Sequence, residues 1–144
     1  MKKNQKTAEL FLVIGKVHTI IANRLDRGLG GLSFNEFQIL HYLAAAPEGQ
    51  ERRIDLANQI GLTASGVTRL LLPMEKIHLV KSAATADDAR TRAVSITAAG
   101  REKLQDAAER IDWLYETIVA DTNEKKIQET LNILLEFAGH AAIA

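Results

Sequence analysis

The chain has 144 residues, of which 47% are hydrophobic, 5% aromatic and 25% charged; these proportions fit one globular domain and exclude a disordered or fibrous chain. It contains no cysteine, which excludes disulfides, thiolate metal sites and sensing through a reactive thiol. The formal net charge is zero, and no apolar run approaches the roughly 20 residues that a transmembrane helix needs.

The first predicted element is a long amphipathic helix over residues 6–27. Lys16 and His18 interrupt its apolar run, so we interpret it as a helix of the folded protein rather than a signal peptide, and we expect a cytoplasmic protein. Three glycines within residues 28–31 favour a turn after it. The apolar stripe of this helix consists of Leu10, Val13, Ile14, Val17, Ile20, Ile21 and Leu25.

A second helix is predicted from Ser33 to about Ala46. Ser33 and Glu36 form a capping-box pattern, in which the serine hydroxyl accepts a hydrogen bond from the N–H of Glu36 and the glutamate reaches back to the N–H of Ser33. A loop is expected at residues 47–50. The side chains expected to point inward are those of Phe37, Leu40 and Leu43.

Residues 53–76 predict two short helices joined by a turn at Gly61, with Thr63 capping the second helix through its hydroxyl. One face of the second helix is apolar at positions i, i+3, i+4 and i+7 and should be buried: Val67, Leu70, Leu71 and Met74. The residues off this stripe are small, hydroxylated or cationic: Ala64, Ser65, Thr68 and Arg69. Such a face fits a DNA major groove, where Ser and Thr reach base edges or phosphates and Arg pairs with guanine.

Two short strands are predicted next, at residues 79–81 and 93–96. Thr97 is placed to cap a long helix from about Ala98 to Ala120, and a break at residues 121–123 precedes the last helix. The loop between the strands contains Asp87, Asp88, Arg90 and Arg92. Two helices joined by a turn and followed by a hairpin form the winged helix-turn-helix pattern.

The zero net charge hides an uneven distribution. Residues 52–92 contain seven Lys and Arg against four Asp and Glu, whereas the rest of the chain contains eleven against fourteen. The central stretch is therefore mildly basic, and DNA affinity depends on the local basic surface more than on the total charge.

This central stretch resembles the MarR (multiple antibiotic resistance regulator) family of bacterial transcription regulators, and the resemblance covers about half the chain. It begins with LSFNEFQILHYLA, which opens at Leu32, and continues through RIDLANQIGLTASGVTRLLLPMEKIHLV to DDARTRAVSITAAG, which closes at Gly100. Its strongest marks are Leu56-Ala57, Ser65-x-x-Thr68-Arg69, Asp88-Ala89-Arg90 and Thr97-x-x-Gly100.

The resemblance implies a mainly α (α+β) fold with one domain over residues 1–144. Within it, residues 33–100 would form a winged helix-turn-helix DNA-binding unit, and residues 6–27 and 101–144 would supply dimerisation helices. The implied protein is a homodimeric transcriptional regulator that binds a pseudo-palindromic operator in double-stranded DNA. It would act as a repressor that a small-molecule ligand releases, although activation is also possible.

The residues expected to contact DNA are Thr63, Ser65, Thr68, Arg69, Asp88, Arg90 and Arg92. Arg69 would pair with guanine, and the two arginines of the loop would approach the minor groove or its phosphates. The resemblance implies that Asp88 orients Arg90 through an ion pair. The alternative is that Ser65 and Thr68 are merely exposed and that the arginines form solvated surface pairs, which contribute little stability.

Two positions depart from the family pattern. Pro73 lies inside the second helix, removes the N–H that would bond the carbonyl of Arg69, and should bend the helix or end it early. His78 occupies the place of a helix-ending glycine and should force either a strained left-handed residue or a different turn. Leu72 and Pro73 also stand where family members often carry a basic or polar residue.

Other functions find less support in the sequence. Trp113 and Tyr115 could line a small-molecule cleft, although aromatic residues at helical spacing more often belong to a core. The four histidines lack metal-ligand spacing, and no nucleophile motif, phosphate-binding loop or carboxylate pair is present, so we expect no metal, no cofactor and no enzymatic activity. The main alternative is a winged-helix module that uses the same helix to bind another protein.

Overall fold

The computed structural model describes residues 3–83 and 93–143, and within them the chain forms six α-helices and three β-strands. No described helix combines the length and the apolar character that crossing a membrane requires. The mainly α fold class is confirmed. The elements in chain order are α1 (Lys3–Gly28), α2 (Phe34–Ala45), β1 (Gln50–Arg52), α3 (Arg53–Ile60), α4 (Ala64–Lys76), β2 (Val80–Ala83), β3 (Ala93–Ile96), α5 (Ala98–Val119) and α6 (Glu124–Ile143).

Side-chain caps fix the starts of several helices, as the sequence predicts. At α2 the N–H of Glu36 donates to Ser33 Oγ at 3.2 Å, and the N–H of Ser33 donates to Glu36 Oε2 at 2.8 Å. Thr63 Oγ1 accepts from the N–H of Gly66 at 3.1 Å at the start of α4. Asn123 Oδ1 accepts from the N–H of Lys125 at 2.8 Å before α6. Each cap satisfies an N–H group that a helix start would otherwise leave without a partner.

The three strands form one antiparallel sheet in the order β1-β3-β2. Gln50 pairs with Ser95 on one side of β3, and Val80 pairs with Ile96 on the other. A loop is predicted at Gln50, and this prediction is wrong because Gln50 opens β1. Three polar residues give no alternating pattern, so only the pairing with β3 defines β1 as a strand.

The core of the described chain is apolar and lies where α2, α3 and α4 meet the sheet. Leu40 and Leu43 are fully buried as expected, whereas Phe37 is half-buried and the neighbouring Ile39 is fully buried. The buried apolar residues are Leu25, Leu29, Leu32, Ile39, Leu40, Leu43, Leu56, Ala57, Val67, Leu71, Met74, Leu79, Val80, Ala93, Val94, Ile96 and Ala107.

The connection from α4 to β2 uses a left-handed residue. His78 has φ 59°, its N–H donates to the carbonyl of Glu75, and the N–H of Leu79 donates to the carbonyl of Met74. This is a Schellman C-cap with histidine in the place that glycine usually occupies. The first of the two alternatives predicted for His78 is therefore confirmed.

Helix α5 begins by packing closely against the end of this connection. The hydroxyl of Thr97 lies 2.6 Å from the carbonyl oxygen of His78 and accepts from the N–H of Gly100 at 3.0 Å. A Cβ on Gly100 would clash with the carbonyl oxygen of Leu79. Only glycine allows this approach, because the neighbouring atom is backbone and cannot move aside without shifting β2.

Two cations of α5 bind carbonyl groups at the C-terminal end of α1 and just beyond it. Lys103 Nζ donates to the carbonyl of Gly30 at 2.6 Å, and Arg110 Nη1 donates to the carbonyl of Gly28 at 3.2 Å. Positive charge at a helix C-terminus is stabilising because the carbonyl dipoles point outward there. These bonds attach the first half of α5 to the end of α1.

The chain divides into two compact units, one ending at Ile111 and the other beginning at Asp112. The first holds the sheet, α1 to α4 and the start of α5. The second holds the end of α5 and all of α6. Large apolar side chains are exposed on α1, where Phe11 and Leu12 are 66% and 74% exposed, and also on α6, where Leu131 and Leu135 are exposed.

Candidate nucleic-acid interface

The turn between α3 and α4 is built around Gly61. This residue has φ 77°, and the N–H groups of Gly61 and Leu62 both donate to the carbonyl of Ala57. The left-handed conformation suits glycine because it has no Cβ to clash. After it, Thr63 caps α4 and its hydroxyl lies 3.2 Å from that of Ser65, so two exposed hydroxyl groups stand together at the start of α4.

The two sides of α4 have opposite character. Val67, Leu71 and Met74 are fully buried, and Leu70 is half-buried. At 3.6 residues per turn, the side facing away from them carries Ser65, Arg69, Leu72 and Lys76, all four of which are exposed. We call these four residues the outward stripe; they lie within about 60° of one another around the helix axis.

Arg69 lies in the outward stripe with its guanidinium unpaired within the described part of the chain. The ion pairs there are Arg52–Asp55, Arg53–Glu75 and Lys125–Glu129. An arginine that no acid neutralises keeps its full charge and all five N–H donors for an incoming group. This arrangement is what recognition of a guanine edge or a phosphate requires.

Thr68 occupies a different environment from Arg69. It is half-buried, and its hydroxyl accepts from Arg53 Nη1 at 3.3 Å. The threonine oxygen therefore helps hold α3 against α4. The groups of Thr68 that remain available to DNA are its methyl group and the second lone pair of its hydroxyl oxygen.

Arg53 links three elements at the base of the sheet. Its Nη2 atom donates to the hydroxyl of Ser82 at 2.9 Å and lies 3.6 Å from Glu75 Oε1, and the hydroxyl of Ser82 donates to Glu75. Its side chain is only 16% exposed. Arg53 thus ties α3 to α4 and to β2. The seven cations counted in residues 52–92 include Arg53, but its charge is paired with Glu75 and its side chain is largely buried, so it adds little to the exposed basic surface.

The neighbouring Arg52 is also paired. Its guanidinium donates two hydrogen bonds to the carboxylate of Asp55, at 2.6 and 2.9 Å, and these bonds lower the pKa of Asp55. Burial, followed by the charge of Asp55, raises the pKa of Glu51, while a hydrogen bond from Gln59 opposes that shift. The basic character of the central stretch therefore lies in α4 more than in α3.

The helix α4 continues through Pro73 to Lys76, so of the two predicted effects of Pro73 the early end is wrong, and a bend stays a prediction. The reason is the position of the proline. Pro73 is exposed, so the carbonyl of Arg69 that loses its N–H partner is on the solvent side, where water can replace the bond.

The remaining predicted site residues lie elsewhere. Asp88, Arg90 and Arg92 are outside the described residues. Trp113 and Tyr115 are 67% and 49% exposed on α5; they are two positions apart, and side chains at i and i+2 do not face the same side of a helix. No group of three potential metal ligands occurs among the described residues.

Three helices, a tight turn before an outward-facing α4, and an antiparallel sheet together define a winged helix-turn-helix. The chain is similar over 94% of its length to the transcriptional regulator BldR from Sulfolobus solfataricus, 99% of which is covered, with 27% identity and a TM-score of 0.82. It is similar over 95% to Sco3205 from Streptomyces coelicolor, a MarR family transcriptional regulator solved in complex with DNA (88% covered, 20% identity, TM-score 0.80). It is similar over 92% to CouR from Rhodococcus jostii RHA1, solved bound to p-coumaroyl-CoA (93% covered, 19% identity, TM-score 0.80).

The resemblance to the MarR family is thereby confirmed at the level of the fold. No protein-family model matches the sequence, and no curated protein matches it. The solved structures that the chain resembles are transcriptional regulators and not enzymes.

Proposed function

We propose that the protein is a homodimeric, sequence-specific double-stranded-DNA-binding transcriptional regulator. The observation that carries this proposal is the exposed side of α4, where Arg69, which has no ion-pair partner among the described residues, follows the exposed hydroxyls of Thr63 and Ser65. The DNA complex of Sco3205, which has this fold, supports it. The protein would act in the cytoplasm.

Each side chain has a distinct proposed role. Arg69 makes a bidentate contact with guanine in the major groove, and Ser65 contacts a neighbouring base edge or phosphate. Thr63 stabilises the helix start, where free N–H groups favour a phosphate. Thr68 fixes the angle of α4 through Arg53 and contributes its methyl group. Arg90 and Arg92, with Asp88 orienting Arg90, contact the flanking minor groove.

Substitution of Arg69 tests the proposal. Duplexes that the protein selects from a randomised library serve as the operator. Arg69→Ala should weaken binding by about 1–3 kcal/mol and relax the base preference at one position of each half-site. Arg24→Ala, which removes an exposed arginine of α1, is the matched control and should leave the preference unchanged. Selection of no duplex at all, or equal affinities of wild type and Arg69→Ala, would refute the role of α4.

Arg90→Ala provides a second test with a different expected pattern. A minor-groove or phosphate contact supplies affinity with little base discrimination. Arg90→Ala should therefore weaken binding to most sequences by a similar factor and reduce the salt dependence by about one phosphate contact. A change of base preference in this variant, with an unaltered salt dependence, would contradict the proposed role.

The homodimer rests on the exposed apolar surface of the terminal helices. Phe11, Leu12, Val13 and Val17 are exposed along α1, and Leu134 and Leu135 along α6. Exposed apolar side chains in these numbers favour association, and a second copy would supply two α4 helices to the half-sites of a pseudo-palindrome about one DNA turn apart. Sedimentation equilibrium at micromolar concentration should give the mass of two chains; a single-chain mass would contradict the dimer.

Repression and release by a small ligand complete the proposal. The CouR structure with p-coumaroyl-CoA supports an effector. A ligand that prefers a dimer with wrongly spaced α4 helices would lower DNA affinity by shifting the population. Trp113→Ala and Tyr115→Ala each test a possible ligand contact. A compound that releases DNA from wild type but not from one of these variants would identify the ligand site. If the compound releases DNA equally from wild type and from both variants, these two side chains do not contact the ligand.

A protein-interaction module remains the second candidate because Leu72 and Pro73 are exposed on α4 and the net charge is zero. It predicts no selected duplex and a stable complex with another polypeptide. The library selection described above therefore separates the two functions in one experiment.

A further inference from the structure

One member of the outward stripe is apolar. Leu72 is 52% exposed, whereas Leu71 beside it is fully buried. Consecutive residues are about 100° apart around a helix axis, so Leu71 faces the core while Leu72 faces solvent and contributes little to the core. Its position within a stripe that otherwise contains Ser65, Arg69 and Lys76 requires a different explanation.

The charges around Leu72 indicate what covers it. Arg69 precedes it by three residues and Lys76 follows it by four, which places a cation about 4.5 Å and about 6 Å away along the helix axis. Both cations are exposed. An apolar protein surface would have to desolvate these two charges without compensation, whereas DNA offers phosphates and guanine edges to both.

The DNA major groove contains one apolar group, the C5-methyl group of thymine. A leucine side chain on a helix leans toward the preceding turn, so Leu72 would lie over the turn that carries Arg69. Successive base pairs are about 3.4 Å apart. A methyl group one or two base pairs from the guanine that Arg69 contacts is therefore within reach of Leu72.

On the basis of the proposed DNA-binding function, we infer that Leu72 is a specificity-determining residue that reads a thymine methyl group in each half-site. The half-site then contains thymine one or two base pairs from the guanine read by Arg69. Leu72 excludes water from that methyl group and so favours thymine over cytosine or uracil at this position.

Replacement of thymine by deoxyuracil tests the inference, because it removes only the methyl group and leaves base pairing intact. Each thymine of the selected operator is replaced in turn, and affinities are measured by fluorescence anisotropy. For wild type, one position per half-site should lose about fourfold in affinity, and replacement in both half-sites about sixteenfold, as expected for burial of one methyl group at each. Leu72→Ala should bind the thymine operator about as weakly as wild type binds the operator with deoxyuracil in both half-sites. Its affinity should show no further loss when deoxyuracil replaces thymine.

Ile77→Ala is the matched control, because Ile77 is another exposed apolar residue at the end of α4 but lies outside the outward stripe. It should retain the deoxyuracil effect of wild type. The inference is overturned if Leu72→Ala keeps that effect, if the selected half-sites lack thymine near the guanine, or if Leu72→Ala changes the mass of the protein in solution. None of these results bears on the proposed DNA-binding function, which the Arg69→Ala variant tests separately. If that function itself is wrong, the protein selects no duplex from the library.

Discussion

Helices α1 and α4 both have a clear apolar stripe, yet they use it differently. In α4 the stripe is fully buried at Val67, Leu71 and Met74, and the exposed side is mostly polar. In α1 only the C-terminal end is anchored, through the buried Leu25 and through Leu29 directly after the helix, and large apolar residues nearer the N-terminus are exposed. The same helical periodicity therefore means a completed core in one helix and an incomplete one in the other.

The difference separates two sources of stability. The packing of α4 depends on its own chain, so its contribution is independent of protein concentration. The exposed stripe of α1 contributes only when another surface covers it, and its contribution should then depend on concentration. Substitutions on the two helices can distinguish these cases, and they also test how tightly α4 is held for DNA binding.

The largest effect is expected for Leu71→Ala. Because Leu71 is fully buried, the substitution leaves a cavity and should lower the free energy of unfolding by about 3 kcal/mol. The matched control is Leu72→Ala, one residue further along, which should cost less than about 0.5 kcal/mol because the side chain is on the surface. Urea denaturation measures both. Similar losses in the two variants would contradict the orientation of α4.

Gly100→Ala should lower the free energy of unfolding by about 2 kcal/mol, because the added Cβ meets the carbonyl oxygen of Leu79. Gly15→Ala in α1 is the control, since a Cβ there meets nothing within 4 Å; it should raise stability by about 0.5–1 kcal/mol through helix propensity. Thermal unfolding of both variants measures the difference. A neutral Gly100→Ala would show that α5 does not start as close to β2 as described.

Val17→Ala tests the exposed stripe of α1 directly. If a second copy covers Val17, the loss of its methyl groups should cost about 1.5 kcal/mol per chain. That loss should appear as a stronger dependence of the unfolding midpoint on protein concentration. The same measurement on Leu71→Ala should leave the concentration dependence of wild type unchanged. A midpoint of Val17→Ala that follows wild type at every concentration would contradict a covered stripe.

Thr63→Ala removes the cap of α4 and should cost about 1 kcal/mol, because the N–H of Gly66 loses its acceptor. Thr63→Ser keeps the hydroxyl and should restore most of that stability. Urea denaturation provides the comparison. Should serine fail to rescue the alanine variant, the threonine methyl rather than the hydrogen bond would be responsible.

The smallest effects concern pH. The pKa of Asp55 is lowered from 3.8, so its ion pair with Arg52 stabilises the fold above that pH and is lost as the pH falls below it. The pKa of Glu51 is raised from 4.5, so the folded protein gains a proton first and becomes relatively more stable as the pH falls toward 4.5. Unfolding midpoints measured from pH 3 to 7 give the dependence of stability on pH. Asp55→Asn should remove the loss of stability at low pH that Asp55 causes, and Glu51→Gln should remove the opposite contribution of Glu51. Slopes of the same sign would contradict the assigned causes.

Local rules predict the helices of this chain well. The capping box at Ser33, the caps at Thr63 and Thr97, and the buried face of α4 all follow from spacing and side-chain chemistry within a few residues. The same rules place Arg69 on the exposed side. They could also have placed Leu72 and Lys76 there, since both follow Ser65 at helical spacing.

Long-range contacts could not be predicted from these rules. Strand β1 exists because Gln50 to Arg52 pair with β3, more than forty residues further along the sequence. Arg53 is neutralised by Glu75 and bonded to Ser82, and nothing near Arg53 in sequence indicates either partner. Only the assembled fold shows that Arg53 is a structural link, whereas Arg69 has no ion-pair partner among the described residues.

Guanine N7 protection tests the central role of α4 most directly, because this atom lies in the major groove where Arg69 is proposed to bind. Dimethyl sulfate footprinting of the selected operator should show one strongly protected guanine in each half-site with wild-type protein. With Arg69→Ala at saturating concentration, that guanine should become reactive while the rest of the footprint remains. Unchanged protection by the variant, or no guanine protected by wild type, would contradict the account.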